Sequence, residues 1–432
     1  MSAGKLVLAF LASFLTFASA QAVLATDQTD KAAPLTAPAT VTAPADAAAP
    51  APAAVTAPAD AAATSPAAPA AVSPTAREKF SDAAKKAGLK DTRIAEYLKA
   101  LDARATQYGL KQDQIDAALD NLRAVLEDSG KNSPFDAGQR LVLVETALHN
   151  IALPTEIDQG YHPTCNITPV EGYVASKPPD KDPELIKQVA LKGKYMTAEG
   201  KEVTPPKKAI MPGRDEKAYD LDKPNVDKRN HSSQVFQMTV VNGTYELGKV
   251  QRNGKTLTDV RYIMGPVRKQ NIPNGWIDLG EDVLIDGNGN SIIENGEVKS
   301  DPGFTVQDNV EASKLVLGYK MPYIDGPSQE VHTYPDGRIE TMPWKYDLPT
   351  TDRLLEAKKN GNLPMGVPTL GGAHVQTIHD VTVDKSGKTW VLIDNQHGAQ
   401  GDGWVTLDDL HRAQKEHGFE LKPTRKAADR PE

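Results

Sequence analysis

Hydrophobic residues recur every three or four positions through residues 76–150, which is the spacing of one buried face of an α-helix. Rows of this kind cover residues 94–101, 115–126 and 141–148. Asp136 and Ala137 lead into the third row. The pattern therefore predicts a small bundle of helices in this N-terminal region.

The pattern changes in the second half of the chain. One more helical row covers residues 183–196, and residues 245–345 then alternate short apolar strings with Gly, Asn and Asp, which is typical of hairpins and loops. Residues 374–383 and 389–396 read as strands, and the turn sequence DKSG joins them at 384–387. Helices early and antiparallel strands late predict an α+β fold.

Both ends of the chain depart from these patterns. Lys5, a twelve-residue apolar stretch and the small residues Ala-Ser-Ala at 18–20 predict a cleavable signal peptide over residues 1–20, of bacterial type. An uncleaved anchor helix is the alternative, but the apolar stretch is short for a bilayer. Residues 21–75 are nearly all Ala, Pro, Thr and Asp, which predicts a disordered linker, and residues 421–432 read as a disordered tail. We therefore expect a secreted or periplasmic protein with no membrane span.

Composition narrows the possible partners and chemistry. Lys and Arg number 49 against 57 Asp and Glu, and the resulting net charge of −8 disfavours binding to nucleic acid. The chain has one cysteine, so intramolecular disulfides are impossible and a thiolate zinc site is effectively excluded. Asp286, Asn288, Asn290 and Glu297 have the spacing of a calcium loop, but Ser291 occupies the position that needs glycine, and a hairpin turn explains the same string.

The single cysteine, Cys165, is the first candidate for catalysis. An unpaired thiol in an exported protein is either buried and inert or used as a nucleophile. Gln159 lies six residues before it, and a Gln amide together with a backbone N–H can stabilise the oxyanion that forms when a thiolate attacks a carbonyl. Thr168, Pro169 and Glu171 predict a capping box that starts a helix three residues after Cys165.

Three short patches resemble the papain-like cysteine peptidases. Gln159, Gly160 and Cys165 have the spacing of the family's Gln, Gly and nucleophile. Near the end of the chain, GGAH at 371–374 opens a strand, and NQHG at 395–398 resembles the family's Asn followed by two variable residues and Gly. The patches follow one another in the order Gln, Cys, His, Asn, as in the family.

This resemblance implies a papain-like α+β domain over residues 151–420, in which a helical lobe faces an antiparallel sheet or barrel. It implies that Cys165 is the nucleophile, His374 the base, Asn395 the residue that orients the imidazole and Gln159 an oxyanion donor. The implied substrate is a peptide or protein, and no cofactor or metal is needed.

The residues themselves leave a second choice of base open. His374 and His379 are five positions apart on one predicted strand, so they point to opposite faces of the sheet. Asn395 shares a face of the next strand with Val391, whereas Asp394 faces the other way. His374 with Asn395 is one consistent pair, and His379 with Asp394 is the alternative.

The leading hypothesis is an exported papain-like thiol hydrolase that cleaves peptide bonds. Acyl transfer to an amine, as in transglutaminases, passes through the same thioester and is an alternative. A catalytically inactive binding or structural protein of the cell envelope is a further alternative. Residues 76–150 could in addition act as an inhibitory segment that proteolysis near residues 131–135 removes.

Overall fold

The computed structural model covers most of the chain from residue 74 onward. It describes residues 74–160, 162–212, 229–252, 255–264, 268–272, 275–279, 282–294, 297–299, 302, 304–325, 331–333, 339–341, 345–372, 374–396, 401–416 and 419–431. The predicted signal peptide and almost all of the predicted linker lie outside these residues. Within the described ranges, no helix is both long enough and apolar enough to cross a bilayer.

The helices belong mainly to the first two thirds of the chain. They are α1 (Pro74–Ala87), α2 (Asp91–Tyr108), α3 (Gln112–Glu127), α4 (Ala137–Ala152), α5 (Thr168–Ser176), α6 (Lys181–Lys192), α7 (Lys207–Ile210), α8 (His231–Glu246), α9 (Val306–Leu317), α10 (Thr351–Lys359) and α11 (Leu407–Lys415). The three rows predicted over residues 76–150 lie on α2, α3 and α4, and most of their members are buried. The helical prediction for this region is confirmed.

The start of α4 shows how the sequence sets a helix boundary. The Asp136 carboxylate accepts a hydrogen bond from the backbone N–H of Gln139 at 2.8 Å, and the Gln139 side-chain oxygen accepts one from the backbone N–H of Asp136 at 3.1 Å. This reciprocal pair is a capping box, and it satisfies two backbone donors that a helix terminus leaves without partners.

The strands pair antiparallel and form open sheets. They are β1 (Tyr195–Met196), β2 (Glu202–Val203), β3 (Gln251–Arg252), β4 (Lys255–Thr256), β5 (Arg261–Met264), β6 (Arg268–Ile272), β7 (Gly275–Leu279), β8 (Asp282–Ile285), β9 (Ile293–Glu294), β10 (Glu297–Val298), β11 (Val331–Thr333), β12 (Ile339–Thr341), β13 (Met365–Thr369), β14 (His374–Val383), β15 (Thr389–Asp394) and β16 (Gly403–Thr406). β13 to β16 form one four-stranded sheet in chain order, and the others form two-stranded pairs. The fold is therefore α+β, as predicted.

Two predicted turns have clear physical causes. Between β14 and β15, the Asp384 carboxylate accepts hydrogen bonds from the backbone N–H groups of Ser386 at 2.9 Å and Lys388 at 3.0 Å. In the candidate calcium loop, the Asp286 carboxylate accepts hydrogen bonds from the backbone of Asn288 and Asn290, both at 2.9 Å. This loop is therefore closed by its own aspartate as an ordinary hairpin turn.

The buried apolar residues form two clusters. The larger one joins residues of α1 to α4, such as Leu101 and Leu119, with Val174 of α5 and Val240 of α8. The smaller one lies between the four-stranded sheet and helices α10 and α11. Residues 76–150 therefore share one apolar core with the helices that follow them.

The junction between the lobes is where the candidate site lies. Helix α5 of the helical lobe packs directly against β13 and β14 of the sheet. Cys165 lies just before the start of α5, and His374 is the first residue of β14. The fold therefore carries both segments to the same boundary.

The end of the chain differs from the expectation of a disordered tail over residues 421–432. Trp404 of β16 donates its backbone N–H to the Arg425 carbonyl at 2.9 Å and its indole N–H to the Ala427 carbonyl at 3.1 Å. Leu421 is buried in the sheet core. The sequence gives no signal for this order, because the segment is held by hydrogen bonds to β16 and not by a periodic row of apolar residues.

Candidate active site

Cys165 lies in a turn that runs directly into α5. The Thr164 carbonyl accepts hydrogen bonds from the backbone N–H groups of Ile167 at 2.8 Å and Thr168 at 3.1 Å. Helical hydrogen bonding thus begins one residue before the cysteine, which places the thiol at the positive end of the helix dipole. Cys165 is 9% exposed, so the cysteine lies at the edge of the core rather than on the open surface.

The predicted start of α5 at Thr168 is confirmed, but the predicted capping box is wrong. Ile167 is the capping residue, without a side-chain cap, and the Thr168 hydroxyl donates to the Thr164 carbonyl at 3.0 Å. Glu171 turns away from the helix end into the core, where it accepts hydrogen bonds from Asn150 at 3.0 Å and Gln237 at 2.8 Å. Burial raises the pKa of Glu171 to about 7.

A buried polar network holds the loop that precedes Cys165. His162 Nδ1 lies 3.2 Å from the Asp282 carboxylate, and Arg229 pairs with the same carboxylate at 3.1 Å. The Thr164 hydroxyl donates to the side-chain oxygen of Gln237 at 2.7 Å. All these side chains are buried, and a buried polar group that loses its hydrogen bond lowers the free energy of unfolding. These contacts therefore fix the loop on both sides of residue 163.

His374 and Asn395 form a hydrogen-bonded pair across the sheet. His374 Nε2 lies 3.2 Å from Asn395 Oδ1 and 3.3 Å from the Asn395 carbonyl. The register pairs Thr377 with Asp394, so the neighbouring position places Gln376 directly across from Asn395. Both side chains lie on the face of the sheet that carries His374. Gln376 donates to Asn395 Oδ1 at 2.6 Å. Burial lowers the pKa of His374, and the bonds to Asn395 oppose this shift.

Gln396 joins the cysteine loop to the histidine strand. Its backbone carbonyl accepts a hydrogen bond from the Gln159 N–H at 2.9 Å. In the amide orientation that satisfies both of its ends, the side-chain oxygen accepts from the Thr377 hydroxyl at 2.9 Å, and the nitrogen donates to the carbonyls of Cys165 at 3.3 Å and Val375 at 3.2 Å. Since Val375 follows His374 directly, one amide group ties the cysteine backbone to the end of β14 that carries His374.

The segments around this pair contain strained backbone. Among the described residues, Leu370 and Gln396 are the two non-glycine residues with positive φ, at 52° and 62°. One lies four residues before His374 and the other directly after Asn395. Conformations of this kind are unfavourable for residues with a side chain, and they concentrate where a site must hold a fixed geometry.

Two residues that follow Asn395 in the chain, Gly401 and Asp402, also contact it. The Asp402 carboxylate accepts its backbone N–H at 2.9 Å. Gly401 approaches so closely that an added Cβ would lie 2.3 Å from Asn395 Nδ2. Burial and the charge of Asp394 raise the pKa of Asp402 to about 9.

The alternative pair also exists, in different surroundings. His379 Nε2 lies 3.3 Å from the Asp394 carboxylate, at a bulge where the register of β14 shifts between Ile378 and Asp380. Burial and the charge of Arg104 lower the pKa of His379 to about 3, whereas burial raises the pKa of Asp394 to about 8. Burial thus disfavours the charged form of both groups.

The fourth predicted residue, Gln159, lies on the same loop as Cys165 and is buried. Its side-chain Nε2 donates one hydrogen bond to the His162 carbonyl at 2.9 Å. A primary amide nitrogen carries two hydrogens, so a second one remains for another acceptor. The side chain thus braces the turn before the cysteine.

Sequence reasoning placed the four predicted residues in three patches and did not identify what supports them. Gln376 had a signal, because it is two residues from His374 and shares its face of the strand. Gly401 and Asp402 follow Asn395 closely, but no motif marks their contacts with it. The residues His397 and Gly398 of the resemblance lie outside the described residues.

Comparisons of this chain with protein-family models, with curated proteins and with solved structures find no match in any of the three. The case for a function therefore depends on the chemistry of the site.

Proposed function

We propose that the protein is an exported thiol hydrolase of papain-like fold in which Cys165, His374 and Asn395 act together on peptide bonds. The observation that carries the proposal is the bridge through Gln396, which ties the cysteine loop to the strand of an imidazole already oriented by an amide. The positive φ of Gln396 supports it, because conformations of this kind cluster at functional sites.

The proposed chemistry follows from the hydrogen bonds of His374. Because Asn395 engages Nε2, Nδ1 is the nitrogen that would take the proton of the Cys165 thiol. The lowered pKa of His374 keeps the imidazole neutral at pH 7, which is the form that can accept a proton. Burial of His374 therefore favours the neutral imidazole, which can act as a base, over the charged imidazolium.

In the first half-reaction the sulfur bonds to the amide carbonyl carbon, and the carbonyl electron pair moves to its oxygen. The second amide hydrogen of Gln159 and the backbone N–H of Cys165 are the proposed donors to that oxyanion. When the intermediate collapses, the C–N bond breaks and His374 gives its proton to the leaving amine. Water, activated by the same imidazole, then hydrolyses the thioester and regenerates the thiol.

The fate of the thioester separates hydrolysis from acyl transfer. Attack by water gives a carboxylic acid, whereas attack by an amine gives a new amide through the same intermediate. Incubation with a peptide substrate and an excess of a primary amine distinguishes the two by the mass of the product. An acid product supports the hydrolase that we propose.

Alkylation of Cys165 by iodoacetamide tests the role of His374 without knowledge of the substrate. Iodoacetamide reacts with the deprotonated sulfur, so removing the imidazole that takes the thiol proton is expected to slow labelling at pH 7 about tenfold. His411 is the matched control, because it lies on α11 and bonds to the Pro349 carbonyl at 2.7 Å. Equal labelling of the parent and the His374→Ala variant would contradict the proposal.

A further inference from the structure

Tyr323 is placed at the junction of the two lobes by a glycine. It forms an isolated parallel bridge with Gly366 of β13, and the next residue, Ile324, donates its N–H to the Gly366 carbonyl at 2.9 Å. A Cβ on Gly366 would lie 2.3 Å from Tyr323 Cε2. The aromatic ring therefore lies directly against the backbone of β13, where a larger residue would displace it.

The phenol oxygen of Tyr323 has a defined partner. Asn309 of α9, which is fully buried, donates its side-chain N–H to this oxygen at 3.4 Å. Because the oxygen accepts from Asn309, the phenol hydrogen is available for a different acceptor. The hydroxyl can therefore act as a hydrogen-bond donor.

The cysteine loop reaches the same place from the other side. Asn166, directly after Cys165, donates its side-chain N–H to the Phe304 carbonyl at 2.9 Å, just before the start of α9. Helix α9 packs against α5. Burial is the main cause that raises the pKa of Tyr323, and the charge of a Cys165 thiolate adds to it. The turn of Cys165 and the phenol of Tyr323 therefore both adjoin the N-terminal part of α9, one through the Phe304 carbonyl and the other through Asn309.

We propose that the Tyr323 hydroxyl is a further catalytic residue, which donates a hydrogen bond to the oxyanion formed when Cys165 attacks a carbonyl. This inference rests on the proposed function. The sulfur–carbon bond forms, the carbonyl electron pair moves to oxygen, and the phenol keeps its proton while bonding to that oxygen. Since burial raises the pKa of Tyr323, the phenol remains a neutral donor at the pH of the reaction.

Two reagents separate an oxyanion donor from a residue that only supports the thiol. Acylation of Cys165 by p-nitrophenyl acetate passes through a tetrahedral oxyanion, whereas alkylation by iodoacetamide displaces iodide and forms none. Tyr323→Phe keeps the ring against Gly366 and removes only the hydroxyl. We expect it to slow acylation about tenfold or more and to leave alkylation within about twofold.

Tyr319 supplies the matched control. It lies four residues earlier, and its hydroxyl interacts with Tyr173 rather than with Asn309. Tyr319→Phe is expected to leave both rates unchanged. The inference about Tyr323 is overturned if Tyr323→Phe slows neither reaction, slows both equally, or does no more than Tyr319→Phe.

The His374→Ala variant, treated with the same two reagents, keeps this inference separate from the proposed function. If that variant reacts with iodoacetamide as fast as the parent, the triad fails whatever Tyr323 does. If that variant is slow and only the Tyr323→Phe result is negative, the triad stands and the phenol is not an oxyanion donor.

Discussion

Strands β14 and β15 carry two imidazole pairs with almost the same geometry. His374 lies 3.2 Å from Asn395 Oδ1, and His379 lies 3.3 Å from Asp394 Oδ2. They differ in their surroundings. The first pair is at the end of the strand, tied to the Cys165 backbone through Gln396, whereas the second lies in the bulge near Arg104, whose guanidinium donates to the Ser176 carbonyl at 2.9 Å.

The comparison sets the pair that we propose for catalysis beside a similar pair that supports the sheet. Asp394 accepts the backbone N–H of Gln396 at 2.8 Å, and Asp402 accepts that of Asn395 at 2.9 Å. The second pair therefore helps to hold the segment that positions the first. A hydrogen bond between histidine and a polar partner does not by itself identify a catalytic base. The connection to the Cys165 loop through Gln396 is what distinguishes the first pair from the second.

Equivalent substitutions in the two pairs give the largest expected contrast. His374→Gln removes the proposed base and is expected to lower the rate of acylation by p-nitrophenyl acetate about 100-fold. His379→Gln is expected to leave that rate within about threefold but to lower the free energy of unfolding by about 1–3 kcal/mol, because Asp394 loses its partner in the core. Acylation kinetics and urea denaturation of both variants measure this contrast. A greater loss of rate in His379→Gln would reverse the assignment of the pairs.

The second prediction displaces the Asn395 side chain without substituting Asn395 itself. Gly401→Ala brings a methyl group within 2.3 Å of Asn395 Nδ2, so the amide must move away from His374. We expect a loss of about tenfold in acylation rate, with a destabilisation of about 1–3 kcal/mol from the overpacked contact. Gly172→Ala in α5 is the control, because its Cβ meets only the Pro154 carbonyl at 3.9 Å. Unchanged kinetics in Gly401→Ala would show that the position of Asn395 does not matter.

Much of the fold was predictable from the sequence because it follows from local rules. The apolar rows on α2, α3 and α4, the turn at Asp384 and the hairpin of β14 and β15 all have periodic or turn signals. The pairing of His374 with Asn395 followed from strand parity. Contacts that join distant segments had no such signal: Tyr323 against Gly366, Glu171 in the buried network and the return of residues 421–427 to β16 depend on packing alone.

The third prediction concerns pH and the carboxyl groups behind the first pair. The pKa values of Asp394 and Asp402 are raised to about 8 and about 9, well above the value near 4 of an unfolded chain. The folded state therefore binds more protons than the unfolded state above pH 4. The stability that these groups contribute is fully present below pH 4 and is lost as the pH rises through 8 and 9.

We accordingly expect the free energy of unfolding to fall by about 1–3 kcal/mol between pH 7 and pH 9. Asp402→Asn keeps an oxygen that can accept the Asn395 N–H and removes the titrating group, so its stability should depend less on pH. Urea denaturation at several pH values measures both slopes. Identical slopes in the parent and this variant would show that Asp402 is already ionised at pH 7.

The smallest expected effect is that of Gln376, which contacts Asn395, the hydrogen-bond partner of His374. Its amide donates to Asn395 Oδ1 at 2.6 Å, so it should restrict the rotation of Asn395 and thereby the orientation of His374. Gln376→Met keeps the volume and removes the donor, and we expect acylation to slow about threefold.

A purely structural role would lower the rate equally at every pH. If Gln376 acts as a positioning residue, the pH at which acylation reaches half its maximum should also move, because the donor competes with His374 for the same oxygen. Gln376→Glu sharpens the test, since it places a negative charge beside Asn395 and should shift that midpoint upward by favouring the protonated imidazole.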